Sequence, residues 1–222
     1  MYIELQNISK SFSDGNKGTR VVLDGLSLQL QKGDFVAITG KSGSGKTTLL
    51  SILGALQSPD SGMCSIGGVD VTDPKAPLDE IRNRQIGFVF QDHRLLPQYT
   101  ARENILLPLL ALADKVSQDK EDYALELMER MGIVKVMNQL PETLSGGEKA
   151  RVAICRALIQ EPDLLLADEP TGQLDAETCL QIMNLFKEIN EELGKTIVMV
   201  THASDVAQVA KRIYQLKDGK LI

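Results

Sequence analysis

Residues 35–56, FVAIT-GKSGSGKT-TLLSILGAL, constrain this chain more than any other stretch. The centre matches G-x-x-x-x-G-K-S/T. A run rich in β-formers enters it and a helical pattern leaves it, which is the context that the motif requires. Glycines let backbone N–H groups close around anionic oxygens without a Cβ in the way. The start of the following helix adds partial positive charge. Gly40, Lys41, Ser42, Gly43, Ser44, Gly45, Lys46, Thr47 and Thr48 are therefore expected to cradle phosphate groups. Lys46 is expected to reach the β- and γ-phosphates, and the Thr47 hydroxyl to ligate Mg²⁺.

A second acidic feature follows. Leu164-Leu165-Leu166-Ala167-Asp168-Glu169 is an apolar strand that ends in two carboxylates. Ligand sites in open α/β sheets lie at the carboxyl ends of strands. Asp168 is expected to hold Mg²⁺ through water, and Glu169 to orient or deprotonate a water beside the γ-phosphate.

Four short runs read as strands buried on both faces: Phe35–Thr39, Ile86–Phe90, Leu164–Asp168 and Ile197–Thr201. Their alternation with helical patterns argues for an α/β sheet with a parallel core. YIELQNIS and LSLQL, near the start, read as edge strands. Asp218-Gly219 in YQLKDGKLI signals a hairpin. Between Ala101 and Leu158 no strand is evident. Ser117 is expected to cap a helix that buries Ala124, Leu127, Met128 and Met131 and ends at Gly132. A second helix is expected from Ser145, with Glu148, Val152, Cys155 and Ile159 on one face and Lys149, Arg156 and Gln160 on another. The reading is one domain over residues 1–222, with an α/β core in 1–92 and 159–222 and a helical subdomain in 93–158.

The net charge of −6 gives no electrostatic reason to expect nucleic acid. Cys64, Cys155 and Cys179 form no CxxC pair and have no histidine at metal-ligand spacing, so they read as reduced cytosolic thiols. The N-terminus has no signal-peptide pattern. The longest apolar run, Ile105–Ala113, is interrupted by Pro108 and falls short of the ~20 residues of a membrane helix. A membrane role is thus expected to run through a partner, without direct insertion.

Leu144-Ser145-Gly146-Gly147-Glu148, twenty residues before Asp168, resembles the signature of the ATP-binding cassette (ABC) ATPases. The resemblance covers essentially the whole chain, and other motifs follow in the family's order. It implies a phosphate-loop NTPase fold: a RecA-like, mostly parallel sheet, an N-terminal antiparallel β portion and an inserted α-helical subdomain. It implies ATP and Mg²⁺ as ligands. Phe12 would stack on adenine, Gln91 would contact Mg²⁺ and the attacking water, and His202 would contact the γ-phosphate. Ser145, Gly146, Gly147 and Glu148, with Asp175 of TGQLD, would meet the nucleotide held by a second copy in a head-to-tail dimer. His93 has no family role and is expected at the surface. Lys149-Ala150-Arg151, Gln173 and Ala203 depart from the residues usual in the family, which touches the detail of the dimer seam.

IGFVFQDHRLLPQYTARENILLPLL with LADEPTGQLD resembles the lipoprotein-releasing and macrolide-efflux group. That implies an ATPase at the cytoplasmic face of the membrane, bound to a membrane-spanning permease subunit near residues 91–104 and energising export or extraction. The cell-division relatives, which transmit ATP binding to a cell-wall complex, share every motif and are the alternative. Nucleic-acid-directed cassettes carry long coiled-coil insertions or a second cassette, and the chain shows neither. It is also expected to lack the C-terminal regulatory domain of several importer ATPases.

Overall fold

The computed structural model describes residues 1–13, 18–111, 113 and 115–222. In chain order its elements are β1 (Ile3–Ser13), β2 (Thr19–Leu30), β3 (Phe35–Thr39), α1 (Lys46–Leu53), β4 (Ser61–Ile66), β5 (Val69–Asp70), α2 (Leu78–Glu80), β6 (Ile86–Val89), α3 (Ala101–Leu110), α4 (Gln118–Arg130), α5 (Gly146–Leu158), β7 (Leu164–Asp168), α6 (Ala176–Glu191), β8 (Thr196–Thr201), α7 (Ser204–Ala207), β9 (Arg212–Lys217) and β10 (Lys220–Leu221). They build two sheets. One is antiparallel, in the order β2-β1-β4-β5. The other runs β10-β9-β3-β8-β7-β6 and is parallel from β9 to β6, with β10 folded back on β9. This is the α/β architecture of phosphate-loop ATPases, with a mostly parallel core and an N-terminal antiparallel portion.

The four apolar runs become β3, β6, β7 and β8, although the second of these runs in chain order, IGFVF, ceases to be strand at Val89. Their near-continuous apolarity follows from burial on both faces. Leu164, Leu166, Val198 and Val200 enter one core with α1 and the antiparallel sheet. Leu165, Ala167, Ile197 and Met199 enter the other, shared with Ile105, Leu127, Val152 and Phe186 of the helices. Each fully buried Leu or Ile contributes about 1.5–3 kcal/mol relative to exposure. The helical stretch therefore packs against the second face of the parallel sheet, which is what positions α5.

Three expectations need correction. Of the two N-terminal strands only β2 lies at a sheet edge; β4 covers the other side of β1 through pairs such as Ile3↔Ile66 and Leu5↔Cys64. The sequence of β4, SGMCSI, buries only Cys64 and Ile66, too sparse an apolar pattern to signal a strand. The run Ile105–Ala113 is largely helix, since α3 continues through Pro108 to Leu110; Leu112 lies outside the described residues. The Pro108 carbonyl is taken up by Asn83 Nδ2 at 2.9 Å and Gln160 Nε2 at 3.2 Å. A reciprocal cap starts α3: the Glu103 N–H donates to Thr100 Oγ1 at 3.3 Å, and the Thr100 N–H to the Glu103 carboxylate at 2.7 Å. Ser117 precedes α4, but its side chain makes no capping hydrogen bond.

Asn104 knits the segment before α3. It is fully buried, accepts from the Leu96 N–H at 2.8 Å, and donates to the carbonyls of Leu96, Tyr99 and Thr100 at 2.9–3.1 Å. Among the described residues no helix is long and apolar enough to cross a membrane.

Candidate functional site

The candidate residues leave the carboxyl ends of adjacent parallel strands. The glycine-rich loop follows β3, Gln91 follows β6, Asp168 and Glu169 end β7, and His202 follows β8. Four segments distant in sequence thus open on one rim, where helix starts and strand ends leave polar groups free. Phe12, on β1, reaches the same place. Together Phe12, Ser42, Gly43, Gly45, Lys46, Thr47, Thr48, Gln91, Asp168, Glu169 and His202 line one cleft of about 520 Å³. That volume suits a nucleotide-sized ligand, for which sites span roughly 300–1,000 Å³.

The loop is shaped by its glycines. Gly45 takes φ 104° at the start of α1, and a Cβ there would lie 2.6 Å from Val22 Cγ1. Only glycine meets both conditions. Lys46 is 8% exposed and donates from Nζ to the carbonyls of Gly40 at 2.9 Å and Lys41 at 3.3 Å. Its ammonium lies 3.9 Å from Glu169 Oε1.

Glu169 is buried and holds φ 46°, a left-handed backbone that costs a side-chain-bearing residue about 1–3 kcal/mol. Its N–H donates to the Val200 carbonyl at 3.0 Å, which ties it to β8. Its Oε2 accepts from the His202 N–H at 3.2 Å and meets His202 Nδ1 at 2.9 Å. The carboxylate is thereby aimed into the cleft by a largely exposed imidazole. Asp168 Oδ1 accepts from the Thr47 hydroxyl at 3.4 Å. Burial pushes the Asp168 carboxyl above its ordinary range and the Glu169 charge adds to this, against the pull of Thr47 and Lys46.

Ser145, Gly146, Gly147, Glu148 and Asp175 are not brought to that cleft. They line a separate cavity of about 340 Å³ between the starts of α5 and α6. Ser145 caps α5 reciprocally: its N–H and hydroxyl donate to the Glu148 carboxylate at 2.7 and 2.8 Å. Asp175 caps α6, accepting from the Thr178 N–H at 3.0 Å and the Thr178 hydroxyl at 2.6 Å. These bonds hold the Asp175 carboxyl below the usual range. The glycines have a packing reason besides exposing N–H groups, since a Cβ on Gly147 would fall 2.7 Å from Thr178 Cγ2. Gly147→Ala is therefore expected to cost about 1–3 kcal/mol in denaturant unfolding. Thr178→Ser, which removes that methyl and keeps the capping hydroxyl, is expected to recover most of it; equal loss in the double variant would show that the contact is not the cause.

Lys41 and Ser44 sit behind the loop, in a neighbouring cavity against the β9–β10 hairpin. Gly40 closes the loop where it leaves β3, and a Cβ there would lie 2.7 Å from the Leu216 carbonyl. His93 is corrected from surface to interior: it is 5% exposed, and burial holds its imidazole below the usual range, aided by the Lys149 charge. The polar run after Gln91 hides this, because the loop folds inward instead of following the strand. Two cleft residues are new. Val22 and Arg20 line it, and Arg20, paired across the strands with Phe12, donates to the Gly43 carbonyl at 2.8 Å. Neither belongs to a motif, so only the strand register reveals them.

Fold and cleft together define a nucleoside-triphosphatase of the phosphate-loop class. The family model described as "ABC transporter" matches residues 23–172, and the chain belongs to that family: it is an ATP-binding cassette ATPase. It is 48% identical over 219 residues to the macrolide export ATP-binding/permease protein MacB of Syntrophobacter fumaroxidans, covering 98% of this chain but only 30% of that protein. It is 42% identical over 221 residues to the lipoprotein-releasing system ATP-binding protein LolD of Bacteroides fragilis, covering 99% of this chain and 100% of the relative. Among solved structures it is similar to the ATP-binding cassette MJ0796, in a dimeric post-hydrolysis state bound to ADP and Pi. There the TM-score is 0.89 at 40% identity, over 99% of this chain and 96% of that one.

Proposed function

We propose that two copies of this chain, paired head to tail, hydrolyse ATP at the cytoplasmic face of a membrane and so energise export or extraction of a substrate by a separate permease subunit. The observation that carries this reading is the division of the candidate residues between two cavities. The phosphate loop, Asp168, Glu169, His202 and Gln91 share one; Ser145, Gly146, Gly147 and Asp175 share the other. A single chain leaves a γ-phosphate uncovered on one side. A twofold pair would close both sites at once, in keeping with the dimeric cassette MJ0796.

In this reading adenine stacks on Phe12, and the loop N–H groups hold the phosphates. Lys46 exchanges its two carbonyl partners for phosphate oxygens. Glu169 takes the proton of the attacking water, and His202 keeps its carboxylate aimed while contacting the γ-phosphate. Gln91 contacts the water from the opposite side. Thr47 and Asp168 offer closely spaced oxygen donors, which fits Mg²⁺, a hard cation held by one or two carboxylates plus substrate phosphates. When bound, that ion neutralises charge on the phosphate oxygens. The serine–glycine turn of the second copy covers the same anion. Hydrolysis divides the anion and the pair opens, a two-state switch of the ligand-gated kind.

Residues 91–104 are the proposed seat of the permease. Leu96 and Tyr99 expose apolar side chains on a loop that Asn104 holds rigid. A tagged copy drawn from detergent-solubilised membranes is expected to bring down a membrane-spanning subunit. Recovery of the chain alone, with undiminished ATPase, would remove the transport reading while leaving the hydrolase intact.

A further inference from the structure

The loop that follows Gln91 is gripped by one side chain from the far end of the helix that Ser145 begins. Arg156 lies in the last turn of α5 and donates to two successive carbonyls, that of His93 at 2.6 Å from Nη2 and that of Arg94 at 2.7 Å from Nη1. Those carbonyls belong to two consecutive non-glycine residues with left-handed backbone, φ 58° and 45°. Such a pair persists only where its surroundings over-determine it. The buried His93 ring is one constraint. Another is the Arg94 guanidinium, which lies 4.2 Å from the Phe90 ring centroid, with Phe90 itself stacked on Phe88. Both of these come from the loop's own strand and turn. The Arg156 fork is the constraint that reaches it from α5.

Chemistry suits Arg156 to this task. A guanidinium presents two N–H groups in a fixed plane and can hold two carbonyls at once, which the single ammonium of lysine does not reproduce. Its partial burial strengthens both bonds. The serine–glycine turn and Arg156 stand about three turns apart on one helix, and a helix of that length moves as a rod. A shift at the Ser145 end is therefore carried to the His93 and Arg94 carbonyls, and so to Gln91 two residues earlier.

We propose that Arg156 is a positioning residue for Gln91: it fixes the Gln91 loop at the nucleotide cleft and makes that placement depend on how α5 is seated. This rests on the hydrolytic role given to Gln91 above. The test is a double-variant cycle on the full chain, with ATP hydrolysis measured across ATP concentrations and folding checked by thermal melting. Arg156→Lys, and Arg156→Gln as a second, shorter and uncharged variant, are expected to lower kcat about tenfold or more while affinity for a fluorescent ATP analogue stays within about twofold. In a Gln91→Ala background either change is expected to lower kcat by less than about twofold, because the residue it acts through is gone. Unchanged kcat in both Arg156 variants, or a full additional loss in the Gln91→Ala background, overturns the proposal and leaves Gln91's role standing. Unchanged kcat in Gln91→Ala alone instead overturns the reading of Gln91 on which the proposal rests.

Discussion

Glu169→Gln is expected to retain ATP binding and to lose about 10²–10⁴-fold in turnover, the contribution of a positioned general base. The geometry separates the two properties. Lys46 and the loop glycines, which would hold phosphate, belong to β3 and α1, whereas Glu169 is delivered from β7 and aimed by His202 at 2.9 Å. Glutamine has the same length and can still meet the His202 ring, so the cleft keeps its shape. It cannot take a proton from water. With ATP uncleaved, the anion between two copies persists, and the variant is expected to run as a stable dimer in size-exclusion chromatography with ATP. Phosphate release at the wild-type rate would remove Glu169 from its role; loss of ATP binding would mean that the substitution had disturbed the cleft itself.

Lys46→Ala is expected to weaken ATP binding by roughly 10- to 150-fold, the equivalent of about 1.5–3 kcal/mol for hydrogen bonds to a charged group. The ammonium is buried to 8% exposure and is directed at the carbonyls of Gly40 and Lys41, the rim of the loop expected to hold phosphate. Titration with a fluorescent ATP analogue reads the loss, and an unchanged circular dichroism spectrum excludes unfolding. Undiminished affinity would overturn the phosphate-loop assignment. Glu169→Gln and Lys46→Ala thus divide catalysis from binding: the first is expected to act on kcat and the second on affinity.

Much of the architecture could be read from local pattern. The apolar runs that became β3, β6, β7 and β8 are unambiguous because burial on both faces leaves no polar alternation to confuse them. Other elements were masked for identifiable reasons. β4 buries only two side chains fully, because it is held between β1 and the short β5 mainly by backbone pairing and turns few side chains into the core. The α3 helix contains Pro108, and its start is marked by Thr100 and Glu103, whose capping bonds outweigh the lost N–H. His93 looked like one polar residue among several, and a left-handed turn at φ 58° carries it inward. Arg20 carries no pattern at all; its place beside the phosphate loop follows from pairing opposite Phe12.

By itself, the sequence determined the class of chemistry. A glycine-rich loop between strand and helix, and two carboxylates at the end of a second strand, are consequences of local spacing, since the groups that would hold a phosphate are neighbours in the chain. The tertiary structure decided what no spacing contains: that β3, β7 and β8 lie side by side and bring Lys46, Glu169 and His202 to one cleft, while Ser145 and Asp175 open on another. Strand order is chosen by burial of two sheet faces at once, a property of the whole chain, so distances across the cleft are legible only once the core is packed.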